Sequence, residues 1–242
     1  MLARLPAGWY LPDMMISVTN FKGGVGKTTV AVHCAMWCAS QGITVGFIDG
    51  DTQASSSQWL AEAQPDLPCR LVTTPEECLA AARELSDQCD VIVGDGPAGL
   101  GEISRTLLIL SEIAIIPVTP SALDIRSVQQ AISVLKFAKE LNLGRPEGWL
   151  VLNRMRKRDT ISRELIATAP QLGLRVGNTS IRDLQAYRDA VQQGTVVMRM
   201  GLRAAGAARD MEQLFQEILS ERLRGIVGNR NQSMNFKRAQ NG

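Results

Sequence analysis

One histidine, His33, is all the sequence offers toward imidazole chemistry. A zinc centre usually needs four ligands, and only Cys34 and Cys38, one helical turn apart, stand near it. Small buried side chains are the simpler reading of that segment. The five cysteines, Cys34, Cys38, Cys69, Cys78 and Cys89, are odd in number and form no CxxC pair. That excludes a disulfide framework and points to reduced thiols in a cytoplasmic protein. No apolar run reaches the roughly 18 residues of a membrane-spanning helix. The start, "MLARLPAGWYLPD", holds two prolines and no long apolar core, so it does not read as a secretory signal. Net charge is only +2, so any basic surface must be local.

What is present is ordinary globular material: 242 residues, 45% hydrophobic and 21% charged, enough for one domain with a full core. Strand and helix signals alternate. "MISVTN" (15–20), "ITVGFID" (43–49), "CRLVTT" (69–74), "DVIVGDGP" (90–97), "IAIIPVTP" (113–120), "GWLVLNR" (148–154) and "RVGNTSI" (175–181) read as strands. Helices are expected at 28–40, 55–63, 75–88, near 101–111, at 121–141, over "RELIATAPQL", near 183–193 and at 203–224. Strands that are apolar throughout predict an α/β fold, a doubly wound, mostly parallel sheet flanked by helices. Residues 1–14 are expected to be an unstructured extension, 15–225 the domain, and 226–242 a basic, flexible tail.

Ligands of such sheets bind at the carboxyl ends of the strands, and the loop after the first strand is "NFKGGVGKTT" (20–29). It departs from the usual phosphate loop, which starts with glycine five residues before the Gly-Lys-Thr. Phe21 stands there, followed by a second lysine, Lys22. The rest fits phosphate chemistry. Gly23, Gly24, Val25 and Gly26 let backbone N–H groups wrap an anion at a helix N-terminus. Lys27 supplies a cation for the β- and γ-phosphates, Thr28 a hydroxyl for Mg²⁺, and Thr29 a contact to the α-phosphate. A dinucleotide fingerprint fails, because Thr29 occupies the place of its last glycine.

"KGGVGKTT" resembles the deviant Walker A motif of the ParA/MinD ATPases. The resemblance implies that Lys22 reaches across a homodimer interface to the partner's ATP. It extends to "FIDGDTQAS", where Asp51 would orient the attacking water and Asp49 would support the Mg²⁺ shell; Thr52 replaces a common proline. In "VIVGDGPAG", Asp95 would bind Mg²⁺ through water, and Ala98 replaces a second proline. Asn153, in "VLNR", falls where relatives recognise adenine. The segment "TSIRDLQAYRDAVQQGTVV" is similar to small plasmid partition ATPases such as ParF. Other branches fit less well: no cysteine follows Cys89 for an iron–sulfur cluster or a late CxxC, and Tyr10 and Tyr187 make no tyrosine-rich tail.

Function then reads as weak ATP hydrolysis, stimulated by a ParB-like or cargo-adaptor partner, by a nucleoid-associated dimer that segregates DNA. The alternative readings are positioning of a protein cargo and a MinD-like role at a membrane. "RMRKR" places Arg154, Arg156, Lys157 and Arg158 together, and with Arg182 and Arg203 these are the candidate contacts to nonspecific DNA. The amphipathic stretch 211–227 serves either to cover the sheet or to meet a membrane; the first is what every domain of this type needs.

Overall fold

Strands without alternation should be buried on both faces, and those at the centre of the sheet are. β1 (Met14–Asn20), β2 (Val45–Asp49) and β5 (Ile113–Val118) are buried end to end. This computed structural model describes residues 14–20, 22–99, 101–120, 125–157, 169–170 and 173–240. Within it, β3 (Cys69–Leu71), β4 (Val91–Ala98), β6 (Glu147–Leu152) and β7 (Leu174–Val176) complete a parallel sheet of seven strands, in the order β3-β2-β4-β1-β5-β6-β7. The chain runs from β1 toward one edge and returns through β4. It then crosses to β5 on the other side, which leaves the carboxyl ends of the central strands open to a ligand.

The helices are α1 (Lys27–Ser40), α2 (Ser55–Ala63), α3 (Pro75–Ser86), α4 (Glu102–Leu110), α5 (Ile125–Leu141), α6 (Gln185–Gln192) and α7 (Ala205–Gln240), with tight 3₁₀ turns at Val197–Arg199 and Gly201–Ala204 before α7. Alternate β1 residues serve the two faces. Ile16 and Val18 pack with Ala31 and Trp37 of α1 and with Leu214 and Phe215 of α7. Met15 packs with Cys78, Leu85 and Leu107 of α3 and α4. Local signals hold where side chains can enforce them. Thr74 caps α3 by accepting the Glu77 N–H at 3.1 Å, and the Glu77 carboxylate accepts the Thr73 N–H at 2.7 Å.

Three expectations are refined. Met14, not Met15, opens β1, with 1% exposure. The helix expected at 203–224 runs as α7 to Gln240, through the segment expected to be a tail; no proline follows Pro170 to stop it. On α7, Leu214, Phe215, Ile218 and Leu219 are all buried against the sheet. Burial of each such side chain contributes about 1.5–3 kcal/mol, so the apolar face within 211–227 covers the core. Most of the helix expected over "RELIATAPQL" lies outside the described residues.

Candidate nucleotide site

The glycine loop leaves β1 at Asn20 and enters α1 at Lys27. Gly24 and Gly26 take φ of 73° and 91°, a region that favours glycine. At Gly26 a side chain is also excluded by space, because its Cβ would overlap the Asn153 amide. Gly26 precedes α1 without a side-chain cap, and no acidic residue lies in the first turn. The first N–H groups of α1 are therefore left for an anion.

The acids come from the two neighbouring strands. Asp49 ends β2 and is in direct register with Asp95 of β4, while Val18 of β1 is Asp95's partner on the other side. Asp95 is 1% exposed, and neither carboxylate oxygen completes a hydrogen bond. Burial pushes its pKa up to about 7; the Thr28 hydroxyl, the Lys27 charge and the Ser56 hydroxyl oppose this, and Asp49 adds to it. Lys27, 8% exposed, is lowered by burial, with Asp95 and Asp51 holding it up. Its charge thus lies within reach of both acids.

Among the described residues, no three His, Cys, Asp or Glu side chains converge as a metal cage. Mg²⁺ keeps several waters and needs few protein ligands. The unpartnered oxygens of Asp95 beside Thr28 fit such an ion. Asp49, expected to support the metal shell, is bonded to its own loop and to α2. Its Oδ1 accepts the Asp51 N–H at 3.0 Å, and its Oδ2 accepts the Ser57 N–H at 2.9 Å and the Ser57 hydroxyl at 2.8 Å. It orders the loop that carries Asp51 and fastens it to α2. Asp51 itself closes a local turn by accepting the Gln53 N–H at 3.0 Å.

Asn153, expected at the adenine, is tied to the loop. It is 4% exposed and lies against the loop, where Nδ2 donates to the Val25 carbonyl at 2.7 Å and Oδ1 accepts the Arg154 N–H at 2.9 Å. It builds the loop. A cavity of about 160 Å³ is lined by Gly26, Thr29, Asn153, Ile181, Leu184 and Tyr187. A second cavity, of about 320 Å³, is lined by Lys22, Gly24, Thr119, Pro120, Arg154 and Arg188.

The basic residues expected on a DNA face divide. Arg154 lines both cavities. Arg156 and Arg188 pair with Asp183 at 2.9 and 3.1 Å, at the cavity wall. Arg182 is held by Asp210 at 2.8 Å and donates to the Gly206 carbonyl, which fixes the start of α7. Arg158 lies outside the described residues. Lys157 and Arg203 are exposed, as is Arg209.

A further contact joins distant segments. His33 is fully buried; its Nδ1 lies 2.7 Å from the Thr29 carbonyl, and Nε2 accepts the Val197 N–H at 3.1 Å. The first contact requires a proton on Nδ1 and the second a lone pair on Nε2, which sets the neutral tautomer. His33 thereby joins the first turn of α1 to the turn before α7. Its sequence neighbours are ordinary core residues, so no local pattern marked it.

A family model described as CobQ/CobB/MinD/ParA nucleotide binding domain matches residues 16–197. The "Maintenance of carboxysome distribution protein A" of Halothiobacillus neapolitanus is 32% identical over 211 residues, covering 84% of this chain and 95% of that protein. The structure is similar to a Cyanothece McdA variant in complex with ATP (TM-score 0.67, 19% identity, 86% of this chain and 97% of that one). It is also similar to the Pyrococcus furiosus cell division ATPase MinD (TM-score 0.68, 23% identity, 85% and 98%). At these identities the solved structures establish the fold alone. Among the described residues, no helix is long and apolar enough to cross a membrane.

Proposed function

The chain belongs to the CobQ/CobB/MinD/ParA family of nucleotide-binding domains, and we propose that it is a ParA-type ATPase that positions a protein cargo along DNA. The observation that carries the reading is one juxtaposition. A loop with lysines at positions 22 and 27 opens beside the buried, unpartnered Asp95 and the ordered Asp51 turn.

In the proposed reaction, the N–H groups of the loop and of α1 bind the phosphates, and Lys27 places its charge on the β- and γ-oxygens. Bound Mg²⁺, held by the Thr28 hydroxyl and through water by Asp95, would neutralise charge on the transferring phosphoryl group. Asp51 orients the attacking water from a turn that Asp49 keeps in place. Lys22 reaches the nucleotide of a second subunit, which makes the ATP state a dimer. Catalysis is then positioning and charge stabilisation, with slow turnover that an adaptor protein stimulates.

Cargo positioning is favoured over plasmid partition by the relative with 32% identity, whose name refers to carboxysome distribution; the partition reading expected from the sequence gives way to it. The track would be nonspecific DNA of the nucleoid, bound by exposed cations such as Lys157, Arg203 and Arg209. The membrane reading loses its anchors to the core, since Leu214, Phe215, Ile218 and Leu219 are buried.

The test is binding to nonspecific plasmid DNA with ATP, with ADP and without nucleotide, across a salt series. The reading expects binding with ATP alone, weakening steeply with salt. Absence of binding in every state contradicts the DNA track.

A further inference from the structure

Two buried asparagines hold the glycine loop. Asn153 reaches its middle from the end of β6. Asn20, the last residue of β1 and 7% exposed, holds its start. Asn20 Oδ1 accepts the Lys22 N–H at 3.0 Å, closing an Asx turn. Its Nδ2 donates to the Pro117 carbonyl on β5. Oxygen and nitrogen are both engaged by backbone. β5 runs on into Thr119 and Pro120, which line the same cavity as Lys22.

We propose that Asn20 is a positioning residue for Lys22: it ties the departure of Lys22 from β1 to the end of β5, so that the side chain leaves the loop toward the second subunit. This rests on the reading of Lys22 as a lysine that acts across the dimer. A lysine side chain is a point charge on a flexible four-carbon stem, with much rotamer freedom to lose. The backbone at its root sets where that stem starts. Lys22 is exposed and sits two residues before the first positive-φ glycine, Gly24. The Asx turn is the contact that fixes its amide, and the bond to Pro117 keeps the turn from rotating about the strand end. These two bonds of Asn20 lie where the loop leaves β1, whereas the N–H groups of α1 begin at Lys27. Its loss should therefore weaken dimer formation more than nucleotide binding.

The experiment compares wild type, Asn20→Ala, Asn20→Ser and Lys22→Ala as full chains. Dimer formation on ATP addition is followed by light scattering, and monomer affinity by a fluorescent ATP analogue at dilutions too low for dimers. Thermal melting checks folding. The inference expects Asn20→Ala to weaken dimerisation about tenfold or more, a change the size of one lost oriented contact, and to weaken monomer affinity by clearly less. Serine can accept the Lys22 N–H in the weaker turn that hydroxyls form, so Asn20→Ser should fall between alanine and wild type. If Asn20→Ala does not fold, the serine variant carries the comparison. Normal dimerisation of the Asn20 variants beside a failing Lys22→Ala overturns the inference and leaves the cross-dimer reading standing. Normal dimerisation of Lys22→Ala overturns both. An equal fall in monomer affinity and dimerisation in the Asn20 variants makes Asn20 merely structural and overturns the positioning role.

Discussion

The side-chain amide of Asn153 donates to the Val25 carbonyl at 2.7 Å, while its oxygen accepts the Arg154 N–H at 2.9 Å. A residue at the end of β6 thus holds the middle of a loop that begins on β1, with β5 between the two strands. Leaving a buried backbone acceptor without its partner costs about 1–3 kcal/mol. Asn153→Ala should therefore weaken monomer binding of ATP and GTP by a similar factor, about tenfold or more. Titration with fluorescent analogues of both nucleotides checks this. A loss confined to ATP would show that Asn153 reads adenine.

Asp51 lies on a turn ordered by Asp49 and Ser57, at the open end of the sheet. If it orients water, Asp51→Ala should bind ATP and dimerise yet hydrolyse it at least about a hundredfold more slowly, as expected for loss of a group that positions or activates the nucleophile. Phosphate release and light scattering on the same sample test the two halves together. Unchanged hydrolysis removes Asp51 from the mechanism.

His33 gives a pH dependence of known sign. Burial lowers its pKa to about 4, against the raising effect of the Thr29 carbonyl. A folded pKa below the unfolded value of about 6.5 means a contribution present above pH 6.5 and lost as pH falls toward about 4. The loss is at most ~3 kcal/mol. Melting curves of wild type should fall across that window, whereas His33→Gln, less stable at neutral pH, should show a flatter profile. Parallel profiles for the two proteins would exclude His33 as the source.

The arginines should separate by task. Arg182 is committed to Asp210, so Arg182→Ala should lower the melting temperature. Arg203 is exposed and donates to the neutral Gln193 side chain at 2.7 Å. Arg203→Ala should leave stability unchanged and reduce the salt slope of DNA binding by about one unit if it meets a phosphate. Equal DNA binding by Arg203→Ala and wild type would place the track elsewhere.

The fold was legible because its central strands are apolar along their length and alternate with helical segments. Phosphate chemistry was legible because glycines, Lys27 and Thr28 are contiguous. What escaped were roles that depend on contacts between distant segments. Asp49 and Asp95 look alike as acids that end strands. Only in the sheet is one bonded by Asp51 of its own loop and by Ser57 of α2, and the other left without a hydrogen bond. Arg156 and Arg182 look like free basic surface until Asp183 and Asp210 come from other elements to meet them. α7 passed its expected end because charge and polarity do not stop a helix, whereas proline does.

The central claim is that this loop, with Lys22 outside the usual pattern, makes ATP the signal for a two-subunit state. Mass measurement of the wild-type chain by multi-angle light scattering tests it most directly, with Mg²⁺ and either ATP, ADP or no nucleotide. The account predicts a doubled mass with ATP alone, abolished by Lys22→Ala. A monomer in all three states, or a dimer indifferent to nucleotide, would contradict it.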